Sequence, residues 1–297
     1  MIGRPADWTA PTVSLTVEPL RHPMRIPRVL VQGPINGRES LDLEEPIAHH
    51  IQRVLRLRPG EPLVLFDGRG GEYQATLVQR SGRLAADIHQ HREDDRDAGG
   101  LAVTLWQAVC RGGRMDTVVE KATELGVHRI VPLLTQRAVV KLQGERGEQR
   151  REHWQRVVHA ACEQCGLNRV PEVTSPTALE QAVRALDQAP QPGAPYRWWL
   201  DPRAGQHLGQ RAASLRTAPG TIILLVGPEG GFDHREDKLL DGAHFERLSL
   251  GPRVLRADTA GLAALAMLHG AVANATNGTS LPAVDESPPP LSEDRAE

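Results

Sequence analysis

The feature that most limits how this chain can fold is the way its longest run of large aliphatic residues ends. Ile222 through Val226 are five consecutive apolar residues, and they stop abruptly at Gly227-Pro228-Glu229-Gly230-Gly231. A strand made of such a run is apolar on both faces, so it needs helices covering both sides. That is the pattern of a mostly parallel sheet built from alternating β and α elements. The remainder of the chain after Gly100 repeats the rhythm. Residues 101–105, 127–134, 198–200 and 245–250 read as further strands. Helical spacing falls between them. Val118, Val119, Ala122 and Leu125 form one apolar stripe, with Asp116 as its expected cap and Gly126 as its stop. Trp154, Val157, Val158, Ala161, Cys162 and Cys165 form another, ended by Gly166, and residues 178–186 form a third. Asp233 and Glu236 have the spacing of a capping box. Asp258 or Thr259 opens a final helix rich in Ala and Leu.

Upstream the period is shorter. Between residues 21 and 97, strand-like runs at 28–31, 62–66, 73–78 and 84–88 are separated by Asp67-Gly68 and Ser81-Gly82, with one helical piece at 46–57. The expected organisation is therefore a disordered extension (1–20), a small β-rich domain (21–97), an α/β domain (98–278) and a disordered tail (279–297), with a charged linker at 93–100.

Composition narrows the function classes. The formal net charge is -2, so no overall basic field announces a polyanion partner, and aromatics at 3% leave few rings for base stacking. No apolar run approaches the ~20 residues that span a bilayer, and the N-terminus has no hydrophobic signal segment. The expectation is a soluble, cytoplasmic protein. Three cysteines argue against a disulfide framework. Cys162 and Cys165 have CxxC spacing but no second pair to complete a metal site, and both fall on the apolar side of their helix. They read as inert core thiols. His49 and His50 have no partner pattern for a metal, and none is expected.

Two strand ends carry chemistry. The first is the glycine turn after Val226. The second is Leu250-Gly251-Pro252-Arg253-Val254-Leu255-Arg256-Ala257-Asp258-Thr259. Ligands of open α/β sheets sit beyond the carboxyl ends of the strands. The glycine turn is not a P-loop, because no Lys-Ser or Lys-Thr follows Gly231, and it is not a GxGxxG fingerprint. Glu229 would repel a phosphate. A ligand of neutral or cationic character suits the turn better.

These residues, with Met24-Arg25-Ile26-Pro27-Arg28, residues 49–56, Glu120-Lys121-Ala122-Thr123-Glu124-Leu125-Gly126 and Ala161-Cys162-Glu163-Gln164-Cys165-Gly166, resemble the bacterial 16S ribosomal RNA uracil-N3-methyltransferases. That family belongs to the SPOUT (trefoil-knot) class, and the resemblance runs from about residue 24 to residue 269. It implies a PUA-like RNA-binding β-barrel followed by a SPOUT α/β domain with a deep C-terminal knot, and S-adenosylmethionine (SAM) held in the knot. It implies methyl transfer to N3 of a uridine in the small ribosomal subunit, U1498 being the family's target, by a homodimer. The expected cofactor residues are Leu200, Val226, Gly227, Glu229, Gly230, Leu250, Gly251, Val254, Leu255 and Arg256. The expected catalytic residues are Arg256, Asp258 and Thr259, although Asp258 is equally well placed to cap the last helix. Arg25, Arg28, Arg53 and Arg56 are the expected RNA contacts, since Arg suits bidentate phosphate binding. The chain departs from the family pattern at Leu167, where an Arg is usual, and at Asp258, where a Glu is usual. Two other readings stay open: a non-catalytic RNA-binding or ribosome-assembly factor with this fold, and a nucleotide-binding enzyme using the glycine turn for phosphate.

Overall fold

The computed structural model describes residues 26–93, 101–138, 142, 144–188, 195–213, 215 and 220–276. The two terminal extensions, residues 94–100 of the linker and Arg25 lie outside these.

The first part is a five-stranded sheet of β1 (Arg28–Leu30), β2 (Ser40–Asp42), β3 (Pro62–Phe66), β4 (Glu72–Arg80) and β5 (Arg83–Arg92), in the order β1-β3-β4-β5-β2. β1 runs parallel to β3, and the other pairings are antiparallel. β4 alternates half-buried and buried residues, so Tyr73, Ala75 and Leu77 point into one core with Val29, Leu65 and Ala86. The predicted helical piece is a short α1 (Glu45–His49) that continues as a π-helical turn (His50–Leu55) and ends at Arg56 in the left-handed conformation, φ 57°.

The second sheet contains β6 (Ala102–Ala108), β7 (Arg129–Leu134), β8 (Glu172–Val173), β9 (Thr177–Ala178), β10 (Tyr196–Leu200), β11 (Thr221–Val226) and β12 (Glu246–Leu248). Its order is β12-β10-β11-β6-β7-β8, with β9 also on β7, and every pairing is parallel. The period of two sorts the side chains between two helical layers. Ile222, Leu224 and Val226 share a core with Trp198, Leu105 and the helices α2 (Arg114–Glu124), α3 (Glu145–Cys165), α5 (Leu208–Ala213) and α7 (Ala257–Thr276). Ile223 and Leu225 face the other way, with Trp106, Trp199, α4 (Leu179–Gln188) and α6 (His234–Gly242). Helices on both faces are what the uninterrupted apolar run of β11 requires, and each fully buried leucine contributes roughly 1.5–3 kcal/mol. Cys162 is fully buried and Cys165 half-buried on α3, which Gly166 ends at φ 89°.

Two local expectations change. Asp116 does not cap α2, because the helix opens earlier, at Arg114. Its carboxylate instead accepts hydrogen bonds from Trp154 Nε1 and His153 Nε2, both at 3.0 Å, and ties α2 to α3. Asp258 does not cap α7 either. The backbone N–H groups of Thr259 and Ala260 both donate to the Arg256 carbonyl, which places the cap at Arg256 and Asp258 inside the first turn.

The chain leaving β12 is enclosed. Ser249 N–H donates to the Gln206 carbonyl at 2.8 Å, and Leu208 N–H donates to the Ser249 carbonyl at 2.9 Å. The stretch between β10 and α5 thus clasps residue 249 before the chain goes on to α7, which packs back on α5, α2, β11 and β6.

Arg28 joins the two parts. Its guanidinium donates to Glu72 Oε2 at 2.5 Å and to the side chain of Asn168, and lies over the Phe66 ring at 4.9 Å. Leu30 N–H donates to Glu163 Oε1 at 3.0 Å, and Val170 N–H donates to the Gly68 carbonyl at 3.1 Å. The expectation that Arg28 contacts RNA is therefore corrected. Its side chain is 9% exposed and committed to the seam between the two sheets. Leu167 packs half-buried on the larger core at the same seam. Glu72 also faces Arg92 at 3.8 Å, so removing Arg28 does not leave the Glu72 carboxylate unpaired, and the buried hydrogen bonds lost cost about 1–3 kcal/mol. Urea denaturation of Arg28→Ala should show a loss of that size. Arg53→Ala, on the exposed π-helical turn, should stay within about 0.5 kcal/mol of the unchanged protein.

Candidate cofactor and RNA site

The carboxyl ends of three adjacent strands, β12, β10 and β11, open onto one cleft of about 830 Å³. Each strand supplies a segment of wall: residues 199–203 from β10, 226–232 from β11, and Leu248, Leu250 and residues 253–257 from β12 and the start of α7. Leu200, Val226, Leu248, Leu250, Leu255 and Ala257 give it an apolar lining, and Val254 stands at the rim, 79% exposed. Of the residues expected at the cofactor, Leu200, Val226, Gly227, Glu229, Gly230, Leu250, Val254, Leu255 and Arg256 all line this cleft. Gly251 does not. Its φ of 118° turns the chain where a side chain would be strained, so its role is in the bend rather than the wall.

The glycine turn is built tightly. Gly231 N–H donates to the Pro228 carbonyl at 2.9 Å, with Gly231 at φ 67°. A Cβ on Gly227 would stand 2.9 Å from the Phe232 ring, so glycine there lets the ring fold back under the turn. The predicted capping box then starts α6: Asp233 accepts from the N–H groups of Arg235 and Glu236, and Glu236 accepts from Asp233 N–H.

Charged groups ring the cleft. Glu229 pairs with Arg114 at 2.7 Å, half-exposed on both sides. Arg256, Arg253 and Arg137 are exposed cations of the lining. Asp258 and Thr259 are adjacent to the cleft rather than part of its wall, and Thr259 Oγ1 donates to Asp258 Oδ1 at 3.3 Å. Gln107, fully buried at the end of β6, donates to the Ala257 carbonyl at 3.4 Å and so holds the first residue of α7. Burial pushes the Cys110 thiol up to about 11, and the charges of Glu229 and Asp258 push in the same direction. Cys110 is therefore a neutral thiol at physiological pH, and no thiolate nucleophile is available there. Among the described residues no group of three His, Cys, Asp or Glu side chains is placed to hold a metal ion, and no helix is long and apolar enough to cross a membrane.

Sequence reasoning missed the floor beneath β10. Burial raises the Asp201 carboxyl, but hydrogen bonds from the Arg203 side chain and backbone, with the charges of Arg203 and Arg247, outweigh it and hold the group below its ordinary value of 3.8. Arg247 lies over the Trp199 ring at 4.1 Å and also binds Asp241. Because the folded pKa is depressed, the stabilisation is present above the ordinary carboxylate value and is lost as pH falls through the lower folded one. Denaturation followed from neutral pH down past 3.8 should show Asp201→Asn with a flatter acid limb than the unchanged protein.

A cleft of this kind beyond a parallel sheet, joined to a small β-rich part, defines a class. The family model described as an RNA methyltransferase domain matches residues 99–269, and the one described as an RNA methyltransferase PUA domain matches residues 43–86. The Ribosomal RNA small subunit methyltransferase E of Synechocystis sp. is 33% identical over 228 residues, covering 74% of this chain and 70% of its own. A methyltransferase of Legionella pneumophila, solved in complex with SAM, matches with a TM-score of 0.73 at 34% identity, over 83% of this chain and 98% of that one. The Ribosomal RNA small subunit methyltransferase E of Neisseria gonorrhoeae, bound to S-adenosyl methionine, matches with a TM-score of 0.71 at 33% identity, over 83% and 98%. The chain belongs to the ribosomal RNA small subunit methyltransferase E family.

Proposed function

We propose that this chain transfers a methyl group from SAM to N3 of a uridine in 16S ribosomal RNA, acting in the cytoplasm as a homodimer, with the smaller part (to about residue 97) holding the RNA and the larger part the cofactor. The observation that carries this reading is the convergence of the three strand-end segments on one apolar-lined cleft with a glycine turn in its wall. The lining fits SAM: aliphatic side chains suit an adenosine, and the near approach of main chain at Gly227 and Gly230 suits hydrogen bonding from backbone groups. SAM, when bound, supplies a methyl group on a positively charged sulfur. A carboxylate-bearing turn with no phosphate-binding Lys is compatible with that charge, which favours this reading over a phosphate-binding enzyme.

The chain's own residues then have distinct tasks. Uracil N3 is a poor nucleophile until its proton leaves. Asp258, beside the cleft in the first turn of α7, is the candidate proton acceptor. Arg256, at the cap position and in the cleft wall, is the candidate to stabilise the negative charge that develops on the uracil oxygens. Thr259 orients Asp258 through its hydroxyl. Arg53 and Arg56 are exposed on and just after the π-helical turn and suit phosphate contact.

Mass mapping of 16S ribosomal RNA from cells lacking this protein tests the reading. One uridine should lose a methyl group and regain it when the gene is restored; an unchanged methylation map would leave a non-catalytic assembly factor as the better description. Light scattering of the purified protein at micromolar concentration should give twice the chain mass, and a fully active monomer would remove the dimer.

A further inference from the structure

The glycine turn is not held by its own segment alone. The peptide group between Gly230 and Gly231 has its N–H bonded to the Pro228 carbonyl at 2.9 Å, and its C=O accepts from Arg137 Nη1 at 2.8 Å. Both ends of one planar group are thereby fixed, which leaves the turn no freedom to flip that plane. Arg137 comes from a different strand end, three residues beyond β7. Its neighbour is anchored to the same place. Gln136 N–H donates at 2.8 Å to Glu236 Oε1, the oxygen that the capping box leaves over. Glu236 is 2% exposed, so this bond is made away from water, where a lost partner is costly. The aliphatic stem of Arg137 lies where a Cβ on Gly230 would meet it at 3.5 Å. The segment after β7 thus holds the glycine turn at Gly230 and the first turn of α6 at Glu236, 93 and 100 residues away in sequence.

We propose that Arg137 is a positioning residue of the methyl-transfer reaction: it locks the Gly230–Gly231 peptide in the orientation that receives SAM. This rests on the reading of the cleft as the SAM site, but the lock itself is testable without any ligand. Arg137 is exposed and belongs to no core, so its removal leaves the fold in place.

Hydrogen exchange on the ligand-free protein and SAM calorimetry, each on the unchanged protein, Arg137→Ala and Arg137→Lys, separate the possibilities. In Arg137→Ala the Gly231 amide should exchange about tenfold faster. SAM affinity should fall by about tenfold, while turnover at saturating SAM stays within about twofold. Lysine keeps one donor and should recover part of both effects. Unchanged exchange at Gly231 would overturn the lock. Faster exchange with unaltered SAM affinity would overturn its role in cofactor binding, as would a loss confined to turnover. Absence of SAM binding by the unchanged protein would overturn the functional reading instead, with the exchange result still deciding the lock.

Discussion

Gly230→Val should bind SAM on the order of 100-fold more weakly than the unchanged protein, with almost the same melting temperature. The position lines the cleft, and its backbone is not in the left-handed region. A Cβ there meets only Arg137, at 3.5 Å, an ordinary contact that the fold tolerates. The two methyl groups of valine add bulk to a wall of the cleft and crowd the Arg137 stem beside it. Overpacking costs about 1–3 kcal/mol, and 1.4 kcal/mol is tenfold in affinity. Gly227→Val makes the useful contrast. Its Cβ would stand 2.9 Å from the Phe232 ring, so it should lose stability and SAM binding together. Calorimetry paired with thermal melts distinguishes the two. Wild-type affinity in folded Gly230→Val would show that the turn does not approach the cofactor.

Asp258→Asn should slow single-turnover methyl transfer by ~10²-fold or more, as expected on losing a general base. Because the cap of α7 falls on Arg256, the substitution costs no capping bond. It removes only a negative charge from the first turn, worth about 0.3–1 kcal/mol. Rate and stability should therefore separate cleanly. If Asp258→Asn keeps near-native rates across pH, proton transfer belongs to another group and Asp258 serves the helix alone.

What the sequence disclosed is what local physics decides. β11 was legible to the residue because five large aliphatic side chains in a row, three of them β-branched and bounded by Gly220 and Gly227, suit a strand covered on both faces. The box at Asp233 and Glu236 and the stop at Gly166 are short-range devices, and their spacing is the signal. The glycine turn and the loop at Leu250 stood out for the same reason. What stayed hidden depends on partners far along the chain. Nothing around Arg28 indicates that it pairs with Glu72 and Asn168, 44 and 140 residues away. Exposed phosphate-binding arginine and buried structural arginine look alike in one dimension. Arg137 ends a three-residue polar interruption between apolar residues, and Asp201 precedes a proline and an arginine in what reads as an ordinary loop. β8 and β9, two residues each, are too short for any alternation to show. The caps at Asp116 and Asp258 were misplaced by a turn or less, because the helices begin before the side chains that suit capping best.

The clasp on Ser249 has a consequence for how the molecule is made. Residues 250–260 complete the cleft, and they follow a strand already gripped by the chain between β10 and α5. During synthesis the smaller sheet and β6 to β11 can be assembled while the last strand and helix are still inside the ribosome. The cleft does not exist at that stage. The proposed SAM cleft is thus the last thing to form, and a chain cut short after β11 would lack the wall that Leu248, Leu250 and residues 253–257 give it.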